Sequence, residues 1–125
     1  MPLTKLDHVN INCVDLSRSR AFYAHVLGMT DGDRPPFPGP GAWLYIGDRA
    51  VVHLNGDRGD VGAAATGNFD HVAFDADDIA AMRAHLKAHG IAYHEKAVPG
   101  RPLKQIFVRD PDGVMVELNF RDGAT

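Results

Sequence analysis

Polar and apolar residues alternate from Lys5 to Cys13: Val9, Ile11 and Cys13 fall on one side, Leu6, His8, Asn10 and Asn12 on the other. That is the period of a strand with one apolar face. Leu16, Phe22, Tyr23, Val26 and Leu27 follow near helical spacing, with Asp15 or Ser17 as the cap and Gly28 as the stop. The Pro-rich run 33–41 predicts a loop around a short strand or edge, because proline cannot donate to a ladder. Strands are predicted at Ala42 to Ile46 and Ala50 to Asn55, joined by a turn at Gly47-Asp48-Arg49. Residues 56–68 hold little to bury and read as a connector. The pattern then restarts. A strand at 69–75 leads to Asp77 as helix cap, a helix with Ile79, Met82 and Leu86 on one stripe, and a stop at Gly90. A strand at 91–97, a loop at 98–103 and a hairpin of 104–109 with 114–120 around Asp110-Pro111-Asp112-Gly113 complete it.

This is a repeat. Leu6-Asp7-His8-Val9-Asn10-Ile11 returns as Phe69-Asp70-His71-Val72-Ala73-Phe74, 63 residues on, and Val51-Val52-His53-Leu54-Asn55 as Met115-Val116-Glu117-Leu118-Asn119, 64 residues on. The predicted fold is α+β: one domain of 125 residues built from two βαβββ modules, at about 5–55 and 69–120, forming a concave mixed sheet with helices on the convex face. Strand parity turns His8, His53, His71 and Glu117 away from the helices. If Arg109 pairs with Val114 across the turn, Ile106 faces Glu117 and Lys104 faces Asn119. Carried to the first module, that register makes Trp43, Tyr45, Asn10, Lys104 and Asn119 the lining of the cup and its substrate-binding residues, with Leu44 and Phe107 under the helices.

Composition narrows the partners. A hydrophobic share of 45% and a charged share of 23% are those of an ordinary globular protein, and no apolar run approaches the ~20 residues of a membrane helix. Net charge is −3 with scattered Lys and Arg, which leaves no footprint for nucleic acid and points to small molecules. Cys13 is the only cysteine and has helix-side parity, so it reads as a packed thiol; with no signal-peptide shape at the start, a cytoplasmic location is expected.

Imidazoles and a carboxylate on one face suit a divalent transition metal and leave positions open for substrate oxygens. The candidate ligands are His8, His71 and Glu117, with His53 either a fourth ligand or a flanking base. Asp7 and Asp70 read as capping or edge residues, and His85 with His89 as a solvated helix flank.

Several motifs stand together: Leu6-Asp7-His8-Val9, Ala21-Phe22-Tyr23 with Val26-Leu27-Gly28-Met29, Asp70-His71-Val72, and Asp110-Pro111-Asp112-Gly113 leading to Val116-Glu117-Leu118. In this order they resemble the vicinal oxygen chelate superfamily, which spans glyoxalases, bleomycin-resistance proteins and extradiol dioxygenases. The resemblance implies a divalent metal (Zn, Ni, Mn or Fe) on His8, His71 and Glu117, and a lyase or isomerase like lactoylglutathione lyase, acting on a small substrate that chelates through vicinal oxygens. Glu117 would shuttle the proton, with His53 beside it. Glyoxalase I usually carries glutamate where His53 stands, so this site would be one charge more positive. Alternatives on the same site are thiol transfer of the fosfomycin-resistance type, with Lys104 or Arg101 meeting a phosphonate, and extradiol-type oxygen insertion. A binding module without catalysis is an alternative of another class. The resemblance also implies a homodimer in which His8 and His53 of one chain meet His71 and Glu117 of the other.

Overall fold

The computed structural model describes residues 5–58, 69 and 71–121. The chain divides between residues 63 and 64 into two compact units, each a βαβββ module. In the first, β1 (Val9–Asn12), α1 (Leu16–Ala21), β2 (Thr30–Gly32), β3 (Gly41–Ile46) and β4 (Arg49–Asn55) form a sheet of order β1-β4-β3-β2. In the second, β5 (Val72–Ala76), α2 (Ile79–Ala88), β6 (His94–Ala97), β7 (Lys104–Arg109) and β8 (Met115–Phe120) give the order β5-β8-β7-β6. Both sheets are mixed: the first strand runs parallel to the fourth, and the other pairings are antiparallel. The α+β class and the repeated module are as predicted. Of the connector at 56–68, only residues 56–58 are described.

The repeat holds residue by residue. Val9 pairs with Val52 and Val72 with Val116, so His53 and Glu117 occupy one register position in two copies. One face of each sheet is core: Ala42, Leu44, Val52 and Leu54 in the first unit, and Ile106, Val108, Val116, Leu118 and Phe120 in the second, all almost wholly buried. The helix is tied to the edge strand alike in both. Arg20 of α1 meets Asp31 of β2 at 2.7 Å, and Arg83 of α2 meets Glu95 of β6 through two bonds of 2.8 and 2.7 Å.

The helix ends follow local chemistry. Asp15 caps α1, its carboxylate accepting from the Arg18 amide at 3.2 Å, and the helix widens into a π-helical turn over Phe22–Val26. For α2 the cap is Asp78, not Asp77. Asp78 takes the left-handed conformation (φ 61°), which a short polar side chain tolerates, and accepts from the Ala81 amide at 3.1 Å. At the far end the amides of Gly90 and Ile91 donate to Lys87 and Leu86 carbonyls, a closure that holds Ile91 to the helix and delays β6 to His94. Gly56 is required by contact: a Cβ there would stand 2.5 Å from Leu16 Cβ.

The second hairpin departs from the expected register. The Asp110 amide donates to the Val114 carbonyl, the Gly113 amide donates to the Asp110 carbonyl, and Gly113 has φ +89°. This is a three-residue loop with a left-handed glycine bulge. The extra residue pairs Arg109 with Met115, so Phe107 faces Glu117, Gln105 faces Asn119, and Lys104 faces Phe120. Phe107 therefore lies on the Glu117 face rather than under the helix, and Lys104 on the opposite face; Ile106 is the core residue. No helix among the described residues is long and apolar enough to cross a membrane.

Candidate metal centre

In the first unit, β4 sets His53 between two rings. Trp43, directly opposite on β3, stacks on it at 3.9 Å and 12°, and His8, just ahead of β1, stacks on its other side at 3.7 Å and 11°. Phe37, from the Pro-rich loop, covers Trp43 with ring centroids 6.3 Å apart. His53 Nε2 donates to the Ala50 carbonyl at 3.1 Å, which leaves its lone pair on Nδ1. Burial first, then the neighbouring His8, lowers the pKa of His53, against the Ala50 carbonyl and Asp7, so the ring stays neutral further into acid. His8 Nδ1 donates to Asp7 at 2.8 Å, leaving the lone pair on Nε2. That bond chiefly holds the Asp7 carboxyl below its ordinary range.

Asp7 thus orients His8 rather than capping a helix or standing as a solvated edge residue. Asp70, its counterpart, lies outside the described residues.

In the second unit, β8 presents Glu117, only 8% exposed, between two partners. His71 Nε2 lies 3.2 Å from Glu117 Oε1, and Gln105 Nε2 donates to Oε2 at 3.0 Å. Gln105 also donates to Asn119 Oδ1 at 3.2 Å. One carboxylate oxygen thus faces an imidazole and the other is anchored by an amide, which fixes the orientation of the group.

The donor sets differ in how they suit a metal. His71 and Glu117 bring an imidazole nitrogen and a carboxylate oxygen within 3.2 Å. The rings of His8 and His53 are parallel, so their in-plane lone pairs cannot meet at one ion ~2 Å from each. Only one of the two fits as a ligand in this arrangement, and His8 is the more exposed of them. Among the described residues no group of three or more His, Cys, Asp and Glu side chains is placed to hold a metal; each unit presents two of the four expected donors.

The other expected site residues divide as well. Asn10 pairs with His53 in the β1–β4 ladder and is exposed. Tyr45 is tied down, its hydroxyl donating to the Asp33 carbonyl at 2.6 Å. Asn119 is buried on the Glu117 face, whereas Lys104 is displaced by the bulge. Gln105 was missed, and the glycine in Asp-Pro-Asp-Gly was the signal that would have found it. Cys13 is fully buried, its thiol donating to the Asn55 carbonyl at 3.3 Å, and His89 donates to the His85 carbonyl on the helix flank.

Residues 5–118 match the family model of the Glyoxalase/Bleomycin resistance protein/Dioxygenase superfamily. The chain is 31% identical over 122 residues to "Glyoxylase I 4" of Arabidopsis thaliana, covering 93% of this chain and 70% of that protein. It is 32% identical over 123 residues to the lactoylglutathione lyase of Salmonella typhimurium, covering 91% and 90%. A solved glyoxalase/dioxygenase from Nostoc punctiforme superposes with a TM-score of 0.77 at 23% identity, over 96% of this chain and 92% of that one.

Proposed function

The chain belongs to the glyoxalase, bleomycin-resistance and dioxygenase superfamily, and on that premise we propose that it is a divalent-metal-dependent enzyme of the glyoxalase type. It is a lyase or isomerase whose small substrate chelates through vicinal oxygens. The observation that carries this reading is the convergence of His71 and Glu117 at 3.2 Å, with Gln105 anchoring the second carboxylate oxygen. Relatives named for lactoylglutathione lyase chemistry support the reaction type.

His8, His71 and Glu117 would hold the ion (Zn, Ni, Mn or Fe), with His53 beside His8 as a neutral base. Such a cation would supply Lewis acidity to the substrate's vicinal oxygens and so lower the pKa of the adjacent C–H. Glu117 Oε1 takes the proton from that carbon and returns it to the neighbouring one. Gln105 keeps the carboxylate from rotating while it does so. His8 lies in one unit and His71 with Glu117 in the other, and the ion is shared in a homodimer, with His8 and His53 from one chain and His71 and Glu117 from its partner. The single buried Cys13 suits a reducing cytoplasm.

The test is a glutathione-hemithioacetal assay on chelator-stripped protein reloaded with Zn, Ni, Mn or Fe, beside elemental analysis. Turnover with at least one metal, lost in Glu117→Gln, is the expected result. Inactivity with every metal removes the glyoxalase reading.

A further inference from the structure

The second unit carries an open groove of about 450 Å³, lined by Ile91, Tyr93, His94, Phe107, Arg109 and Met115 among others. We propose that it binds the apolar body and distal carboxylate of a small amphipathic acid whose oxygens lie at Glu117. The proposal deepens the reading of Glu117 as metal ligand and base, and rests on it for the direction in which the ligand points.

The groove has the volume of a small-molecule site. Its register places it beside Glu117: Phe107 lies directly opposite Glu117, His94 opposite Phe107, and Arg109 opposite Met115, so all four groove side chains share the Glu117 face. Phe107 and Met115 offer an apolar floor, and Tyr93, 39% exposed, an apolar wall. Glu117 is the anion of this face, and Lys96 and Arg109 are its cations. Lys96 Nζ stands 5.3 Å over the Phe107 ring, while Glu95 points to the other face, where Arg83 holds it. Arg109 donates to the Gly113 carbonyl at 2.8 Å, which steadies the guanidinium and leaves it further N–H donors for a carboxylate. Arg109 is two residues along β7 from Phe107, ~7 Å on an extended strand. The ligand carries its anion toward Arg109, with hydrocarbon between it and its chelating oxygens.

The first unit is an internal control. Its equivalent positions are Gly32, Trp43 and Tyr45. There the chain covers itself: Phe37 packs on Trp43, and the Tyr45 ring stands 2.8 Å from where a Cβ on Gly32 would be. The second unit has Arg109 in place of Tyr45 and leaves the surface open.

The test is a ¹⁵N–¹H NMR titration of the full-length protein with 4-phenylbutyrate and with its uncharged amide, 4-phenylbutyramide. The acid is expected to shift amides at 90–94 and 107–115 and to bind more tightly than the amide. Arg109→Gln should weaken the acid by about tenfold without changing the amide, and Met115→Trp, which fills the groove, should weaken both. Equal binding of acid and amide, or shifts mapping elsewhere, would overturn the proposal. Should Arg109→Gln not fold, the acid-to-amide ratio on wild type and the Met115→Trp variant decide the matter. Acid bound in the groove without metal-dependent turnover keeps this site and sinks the enzymatic reading. Turnover with groove binding indifferent to both substitutions does the reverse.

Discussion

His53 and Glu117 occupy the same place in two copies of one module, yet their surroundings differ in kind. His53 is sandwiched between His8 and Trp43, a flat aromatic column capped by Phe37. Glu117 is held edge-on between His71 and the amide of Gln105. The difference begins with single residues opposite them: where the second unit has Gln105 facing Asn119, the first has Gly41 facing Asn55. Gly41 has no side chain to offer, and the space its Cβ would take is filled by the Arg34 guanidinium; His53 is held by stacking instead. A duplicated backbone fixes where functional groups stand. The neighbours decide whether each is stacked or hydrogen-bonded in place.

The comparison can be broken first at the ends of the fourth strands. Gly56 and Phe120 stand at equivalent positions, one admitting Leu16 at contact and the other filling the core with a ring that is wholly buried. Phe120→Ala should cost about 3–5 kcal/mol of stability, and Gly56→Ala about 1–3 kcal/mol through its clash with Leu16, both read by urea unfolding. Equal costs would mean that the two units do not use this position differently. The next effect is at the base. Gln105→Leu removes the anchor of Glu117 and should weaken metal affinity by about 10–100-fold; isothermal titration with Zn would show it, and unchanged affinity would make Gln105 a spectator.

The smallest effect concerns the ties between helix and edge strand. Arg83 holds the Glu95 carboxyl below its ordinary pKa of 4.5. A carboxylate depressed on folding contributes stability above its unfolded pKa and loses it as pH falls through the folded value. Glu95→Gln should therefore lower the unfolding midpoint slightly at neutral pH and flatten its fall below pH 4.5. An unchanged acid limb would show that the pair contributes nothing measurable.

Much of this was legible in the sequence because duplication writes the same signals twice. The paired His-Val and Val-x-Leu-Asn segments fixed both parallel ladders, and Gly28 and Gly90 marked both helix ends. What escaped turned on single residues. The left-handed Gly113 adds one residue to a hairpin, and a slip of one exchanges faces, so Phe107 and Gln105 took the places given to Ile106 and Lys104. The left-handed Asp78 moved a helix cap by one position. The ion pairs of Arg20 and Arg83 sit at matched positions of the repeat but join elements whose packing no strand pattern reports. Stacking of His8 on His53 is a matter of side-chain rotation, which sequence spacing does not carry.

The central claim is that the two halves of the repeat, from two chains, supply complementary ligands to one ion. Its most direct measurement is metal content after reassociating His8→Ala and Glu117→Ala chains mixed in equal amounts. Each variant alone should hold less than about half the metal of wild type. In a dimer with shared sites, random re-pairing restores one intact site in each mixed dimer, about a quarter of wild-type loading overall. A mixture that gains nothing over the separate variants, or variants that load fully on their own, would contradict the account.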